Sequence, residues 1–150
     1  QVKDLILIPK FFFVESIIEK RKPLSPTARR AGWVGCNIVF GDVPTQGRIR
    51  IIENQKVYNT KEIVENYAQI KRLQTNNLES RGWLMDVLNC VNEISTTDFS
   101  LQDIYKFVEQ LQEKHINNHN IEAKIRQQLQ ILRDKGFIEF TTRGHYRKII

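Results

Sequence analysis

Two adjacent arginines lie close to a tryptophan in the stretch PTARRAGWVGCNI, residues 26–38. Between residues 20 and 41 the chain carries five basic side chains and no Asp or Glu. Basic groups without neighbouring carboxylates bind anions, and an exposed indole can stack on or wedge beside a nucleobase. We therefore predict that Arg29, Arg30 and Trp33 belong to an anion-binding loop. The alternative is a core tryptophan surrounded by solvated charges.

A second set of polar side chains is spaced along IEAKIRQQLQILRDKG, residues 121–136. On a helical wheel one side is apolar apart from a single glutamine and is expected to be buried; it holds Ile121, Ile125, Gln128, Leu129 and Leu132. The opposite side holds Ala123, Arg126, Gln127 and Gln130. Glutamine can bind the adenine edge, arginine can bind guanine or a phosphate, and alanine permits close approach to the major groove. We predict that this face, with Lys124, binds DNA, the alternative being a solvated polar face.

The residues around this helix extend the prediction. Asn118 and Asn120 can cap the helix or donate to a phosphate at its N-terminus. Arg143, His145 and Arg147 follow in the sequence RGHYRK and add further DNA-contacting groups. The spacing of His115 and His119 could suggest a metal pair, but without a nearby third ligand we interpret both as turn residues.

The elements that must position these side chains are clearest in the second half. A helix over residues 81–94 contains Trp83 in its apolar stripe, and the short strand DFS follows. The pattern Ser100-x-x-Asp103 predicts a capped second helix that continues to Leu111. The order continues with the polar turn 115–120, a third helix closed by Gly136, and two short strands. This order is typical of a winged helix-turn-helix domain.

The first half has a β-rich pattern. Residues 2–8 predict a buried strand, and residues 47–53 and 56–58 predict a hairpin. Helical spacing follows over residues 61–73, and the polar run 74–80 is interpreted as a linker. We therefore predict two domains, residues 1–76 and residues 77–150, in an α+β protein.

Composition and charge limit the function classes. Hydrophobic residues make up 41% of the chain, which is ordinary for a soluble domain, and no apolar run approaches a membrane span. Cys36 and Cys90 form no paired motif, which argues against a disulfide framework and a zinc ribbon and favours a cytoplasmic location, with Cys90 buried. The net charge of +6 favours a polyanionic partner. Residues 121–150 hold 7 basic and 3 acidic side chains, so the C-terminal end is expected to face that partner.

Four segments together carry a resemblance: RKPLSPTARRAGWVGCNI, SRGW followed by LNC, IRQQLQILRDKGFIEF and RGHYRK. They resemble the C-terminal portion of the DpnI-like, Dam-replacing family of type II restriction endonucleases, which cut G-A-T-C when the adenine is methylated. The resemblance implies a Mg²⁺-dependent PD-(D/E)xK nuclease domain that contains a cysteine zinc site, followed by a winged-helix domain. Both domains are expected to bind methylated DNA.

This resemblance implies that Trp33 touches the adenine methyl groups, with Arg29 and Arg30 beside it at the DNA. A PD-(D/E)xK centre needs an Asp and an acidic-x-Lys pair on neighbouring strands. The chain offers only Glu122-Ala-Lys124 in that spacing, on the predicted recognition helix, and it lacks the family's zinc cysteines. Together with an N-terminal Gln1 inside an apparent strand, this predicts a C-terminal remnant of the nuclease domain plus a whole winged helix.

We therefore expect no catalytic residue and no bound cofactor in this chain, with Mg²⁺ and zinc implied only for a preceding nuclease segment. The expected partner is double-stranded DNA, bound by a monomer without cleavage. Two alternatives are a winged-helix transcriptional regulator and a winged helix that binds another protein. Adenine-methylation dependence would separate the restriction enzyme from the regulator, and steep salt dependence would separate DNA binding from protein binding.

Overall fold

The computed structural model describes residues 1–150, which form five α-helices and eight short β-strands. The helices are α1 (Thr60–Ile70), α2 (Leu78–Glu93), α3 (Leu101–Tyr105), α4 (Val108–Lys114) and α5 (Ile121–Asp134). The strands are β1 (Leu5–Leu7), β2 (Ile18–Lys20), β3 (Cys36–Ile38), β4 (Ile49–Glu53), β5 (Lys56–Val57), β6 (Asp98–Ser100), β7 (Ile138–Thr142) and β8 (His145–Lys148). None of the helices combines the length and the apolar character that crossing a membrane requires.

The first half contains two small antiparallel sheets. In one, β4 pairs with β1 on one side and with β5 on the other. The turn between β4 and β5 has positive φ at Asn54 (49°) and Gln55 (67°), a backbone that matches the twist of a tight hairpin. The predicted hairpin over residues 47–58 is therefore confirmed.

The prediction of a buried strand over residues 2–8 is wrong. The strand is limited to Leu5–Leu7, and all three residues are exposed. A continuous apolar run is typical of a strand covered on both faces. Here β1 is an edge strand that pairs only with β4, so its apolar side chains stay in contact with solvent.

A second hairpin lies between the predicted strands, in a region where the sequence indicated only a loop. Strands β2 and β3 pair antiparallel with Ile18 opposite Ile38 and Lys20 opposite Cys36. Backbone hydrogen bonds continue the pairing beyond the strands, from Arg21 N to the Gly35 carbonyl at 3.0 Å and from Leu24 N to the Trp33 carbonyl at 2.9 Å. The basic stretch is therefore the ordered end of a hairpin.

The second half has the predicted winged-helix order, with two corrections in its helices. Helix α2 begins at Leu78 with Asn77 as its cap, so part of the predicted linker is helical. The predicted second helix is split into α3 and α4, because Phe107 adopts a non-helical backbone (ψ 4°) and bonds to Ile104 three residues back. Strand β6 is the predicted edge strand, and it pairs with β8, which also pairs with β7.

Helix α5 follows its sequence pattern closely. The Asn120 side-chain oxygen accepts a hydrogen bond from the Ala123 N–H at 3.4 Å, and Gly136 closes the helix with φ 81°. The predicted inward side chains are all buried: Ile121, Ile125, Gln128, Leu129 and Leu132. The opposite face is therefore turned away from the core.

One continuous hydrophobic core joins the two halves of the chain. Helix α2 contacts α5 on one side and the turn Lys10–Phe12 of the first half on another. Polar groups of α2 also reach the first half: Asn89 donates to the Asp42 carbonyl at 2.7 Å, and the amides of Asn92 and Gln46 bond reciprocally at 2.8 and 2.9 Å. Residues of the first half thus complete the environment of α2.

We expect Gly47→Ala to destabilise the protein. A Cβ at Gly47 would overlap the ring of Phe12, which is completely buried among core side chains. Overpacking of this kind costs about 1–3 kcal/mol, measurable as a lower urea midpoint by circular dichroism. Gly41→Ala is the matched control, because a Cβ there meets open space. Equal midpoints for the two variants would contradict this account of the core.

Candidate nucleic-acid interface

The basic hairpin loop, residues 21–35, has a defined backbone. Ala28 N donates to the Ser25 carbonyl at 3.0 Å and Trp33 N donates to the Arg30 carbonyl at 3.1 Å, while Gly32 supplies a positive φ of 77°. The Arg29 and Arg30 side chains are exposed, and neither forms an ion pair. Their charges are therefore available to an external anion.

The Trp33 side chain is 53% exposed, so the alternative of a core tryptophan at this position is wrong. Its indole lies across the backbone of Gly35, where an added Cβ would approach two ring atoms to 2.9 Å. Glycine at this position permits the close approach, and the indole presents apolar surface to solvent beside two arginines. Trp83, by contrast, is a core residue as predicted, with 1% exposure.

The outward face of α5 carries three exposed polar side chains: Arg126, Gln127 and Gln130. The two glutamines make no side-chain hydrogen bond within the protein, and Ala123 beside them is half-buried. A recognition helix presents such a face to the major groove, where free amides can bind base edges. The structure thus brings these four predicted residues onto one face.

Arg126 differs from its neighbours because it has a partner. Its Nη1 donates to the Tyr105 hydroxyl of α3 at 2.5 Å. Tyr146 of β8 lies nearby: burial raises the pKa of its hydroxyl, Tyr105 adds to this, and the positive charge of Arg126 opposes it. Sequence reasoning missed Tyr105, although a partly buried tyrosine that follows the core residue Ile104 commonly places its hydroxyl at a polar partner.

Lys124 lies on the flank of α5, beside the core. Its Nζ is 5.7 Å from the ring centre of Trp83, and the His115 ring stacks on the same indole at 3.7 Å. His115 Nε2 also lies 2.8 Å from a carboxylate oxygen of the buried Asp86. Lys124 is half-buried, and His115 contacts the core at the end of α4.

The turn before α5 is held by its own asparagines. The Asn118 side-chain oxygen accepts from Asn120 N at 2.8 Å, and the Asn120 side chain caps α5. Gln112 of α4 donates to the Asn118 carbonyl at 3.0 Å. The structure therefore uses both side-chain oxygens for capping, while their NH₂ groups remain possible donors to a phosphate.

The wing separates its basic residues into two groups. Arg143 and His145 are exposed at the tip, where His145 Nδ1 lies 3.1 Å from the Arg143 carbonyl. Arg147 instead bridges Asp98 at 2.7 Å and Glu139 at 3.4 Å, and its contact with Asp98 raises the pKa of the guanidinium. Two carboxylates thus already pair with Arg147, whereas Arg143 and His145 at the tip form no ion pair.

Comparison with protein-family models covers both halves of the chain. Residues 1–76 match the model of the Dam-replacing family, and residues 79–148 match the Dam-replacing HTH domain. The chain belongs to the Dam-replacing family. A helix-turn-helix domain in a Dam-replacing protein indicates methylation-dependent recognition of DNA, and the second match spans α2 through β8, which include the outward face of α5.

The family resemblance implies metal ions, and the next question is whether side chains of this chain could bind one. No group of three or more His, Cys, Asp or Glu side chains lies close enough together to hold an ion. The acidic-x-lysine spacing Glu122-x-Lys124 is on α5, with Lys124 directed to Trp83. These residues therefore do not form a PD-(D/E)xK centre.

We expect the two tryptophans to differ sharply in their effect on stability. Trp33→Ala should change the free energy of unfolding by less than about 0.5 kcal/mol, because an exposed side chain contributes little to the core. Trp83→Phe removes buried ring atoms and should cost about 1–3 kcal/mol. Urea unfolding followed by circular dichroism measures both, and a destabilised Trp33→Ala would show that the loop packs elsewhere.

The capping box that begins α3 should make stability depend on pH. The Ser100 N–H donates to Asp103 at 2.9 Å, and this bond, with those from Lys106 and the Ser100 hydroxyl, holds the pKa of Asp103 well below its usual range. The stabilisation is complete above the ordinary Asp pKa of about 3.9 and is lost as the pH falls through the lower folded pKa. The difference in urea midpoint between wild type and Asp103→Asn should therefore shrink below about pH 4. A constant difference would contradict the assignment.

Proposed function

We propose that this chain is the DNA-recognition part of a type II restriction endonuclease that acts on G-A-T-C when its adenine is N6-methylated. Residues 77–150 form the winged-helix reader, and residues 1–76 are the C-terminal part of a PD-(D/E)xK nuclease domain. The match of residues 1–76 to the Dam-replacing family supports this assignment.

The observation that carries the proposal is the outward face of α5. Its apolar side is fixed in the core, while Gln127 and Gln130 are exposed and free of internal hydrogen bonds. The free NH₂ group of a glutamine can donate to a purine N7 in the major groove, a contact that an N6-methyl group leaves available. The exposed side chains of Arg143 and His145 at the wing tip, which form no ion pair, add contacts to the phosphates beside this groove.

Methyl recognition is assigned to Trp33. An N6-methyl group adds one apolar carbon in the major groove, and its burial against an indole contributes about 0.8 kcal/mol. The exposed indole supplies that surface, and Arg29 and Arg30 beside it hold the flanking phosphates. Two methyl groups in a fully methylated site would each contribute, so discrimination grows with the number of methylated strands.

We further propose that these 150 residues bind DNA without cutting it. Metal-assisted hydrolysis of a phosphodiester needs carboxylates that hold the ion and activate water. The side chains described above do not form such a group, so cleavage would require residues outside this chain. Nuclease activity is accordingly proposed for the whole enzyme, and recognition for this part.

Binding to short duplexes tests the function directly. We expect fluorescence anisotropy to show the tightest binding for G-A-T-C methylated on both strands, then on one strand, then unmodified, with a steep loss as KCl increases. Equal affinity for the three duplexes would contradict methyl recognition. No binding to any duplex would contradict the proposed function. Incubation with Mg²⁺ should leave the DNA intact, and cleavage would contradict the proposed division of roles.

Variants of the hairpin loop separate methyl recognition by Trp33 from phosphate binding by Arg29 and Arg30. Trp33→Ala should reduce the preference for methylated over unmodified DNA by about fourfold per methyl group, the equivalent of one buried carbon. Arg29→Gln with Arg30→Gln should weaken binding to all duplexes and lower the salt dependence. Tyr67→Ala, an exposed aromatic of α1, is the control for Trp33, and Lys61→Gln on the same helix is the control for the arginines.

A further inference from the structure

Tyr105 is placed to control the direction of Arg126. Its hydroxyl accepts the Arg126 Nη1 hydrogen bond at 2.5 Å, and the phenol is half-buried while the guanidinium is exposed. Tyr105 belongs to α3, whose first turn is fixed by the Ser100–Asp103 capping box. A hydrogen-bonded pair of side chains therefore connects α3 and α5.

The remaining donors of this pair point to an anionic ligand. A guanidinium has five N–H groups, so four remain after the bond to Tyr105. The tyrosine oxygen acts as acceptor in that bond and keeps its own O–H available as a donor. The nearest carboxylate along α3, Asp103, is already bound by Ser100 and Lys106. The pair thus offers several free donors, and no carboxylate forms an ion pair with Arg126.

The position of the pair distinguishes a phosphate from a base edge. In a helix-turn-helix domain the recognition helix lies in the major groove, while the preceding helix crosses the DNA backbone. The helix before α5 is split here into α3 and α4, and Tyr105 of α3 draws the Arg126 guanidinium toward that split helix. An arginine held on this side of α5 meets the phosphates that border the groove.

Building on the proposed function, we infer that Tyr105 and Arg126 form a composite site for one DNA-backbone phosphate. Tyr105 is the positioning residue that directs the guanidinium to the backbone. Gln127 and Gln130 are then left to read the bases. The pair contributes affinity that is independent of sequence, and the glutamines contribute specificity.

The test uses the whole 150-residue chain and two duplexes, methylated G-A-T-C and a scrambled sequence. Arg126→Ala should weaken binding to both duplexes equally and lower the slope of log K against log salt by about one. Tyr105→Phe should weaken both by about three- to tenfold, the equivalent of one hydrogen bond, and should have no further effect when Arg126 is already alanine. Gln127→Ala should instead reduce the affinity ratio between the two duplexes.

Distinct results would overturn the inference. A loss confined to the G-A-T-C duplex in Arg126→Ala would show that Arg126 reads a base, and the proposed function would still stand. An undiminished effect of Tyr105→Phe in the Arg126→Ala background would show that Tyr105 does not act through Arg126. Failure of the wild-type protein to bind either duplex would overturn the proposed function and, with it, this site.

A measurement without DNA distinguishes a loss of Arg126 positioning from a general folding defect in Tyr105→Phe. If Tyr105→Phe also lowers the unfolding midpoint, the side-chain N–H signals of Arg126 in the wild-type NMR spectrum decide the positioning role. Hindered rotation of the guanidinium supports the bond to Tyr105, and free rotation overturns it. Arg133, which pairs only with its neighbour Asp134 and the Phe140 ring, provides an internal comparison.

Discussion

Burial of α2 on nearly all of its sides is the constraint on which the other elements depend. A surface helix buries one stripe, but α2 buries eight of its residues, including Trp83, Met85 and Cys90. The pKa of the Cys90 thiol is raised to about 12, chiefly by that burial. Such a helix must be covered by partners on several sides. Helix α5 supplies one partner and the Phe11–Phe12 segment another, so the two halves share one interior.

Helix α2 also buries one acidic side chain, Asp86, which is 3% exposed. A carboxylate in that position requires partners, and the end of α4 provides them through His115 at 2.8 Å and Lys114 at 3.4 Å. The stacking of His115 on Trp83 then fixes where α4 ends and where the turn to α5 begins. The buried charge of α2 thus helps to set the start of the recognition helix.

Local signals in the sequence predicted the parts of the fold that depend on neighbouring residues. The period of α5, the Ser100–Asp103 box, Gly136 and the hairpin turn at residues 54–55 each act within a few positions, and the structure has all of them. The exposure of β1 and the break between α3 and α4 depend on which elements pack nearby. The periodicity of a segment does not show which other elements pack against it. The predictions of a buried first strand and of a continuous second helix were therefore wrong.

The candidate site shows the same division between local and distant causes. Arg147 looks like any other wing cation in the sequence, yet Asp98, 49 residues away, binds it across the sheet. Lys124 follows the basic pattern of α5, but its position over Trp83 arises from packing between helices. What distinguishes a binding cation is the lack of a carboxylate partner in three dimensions. Arg29, Arg30, Arg126 and Arg143 meet that criterion, and each lies on a hairpin or a helix with a defined backbone, so these free charges are held in place by the fold.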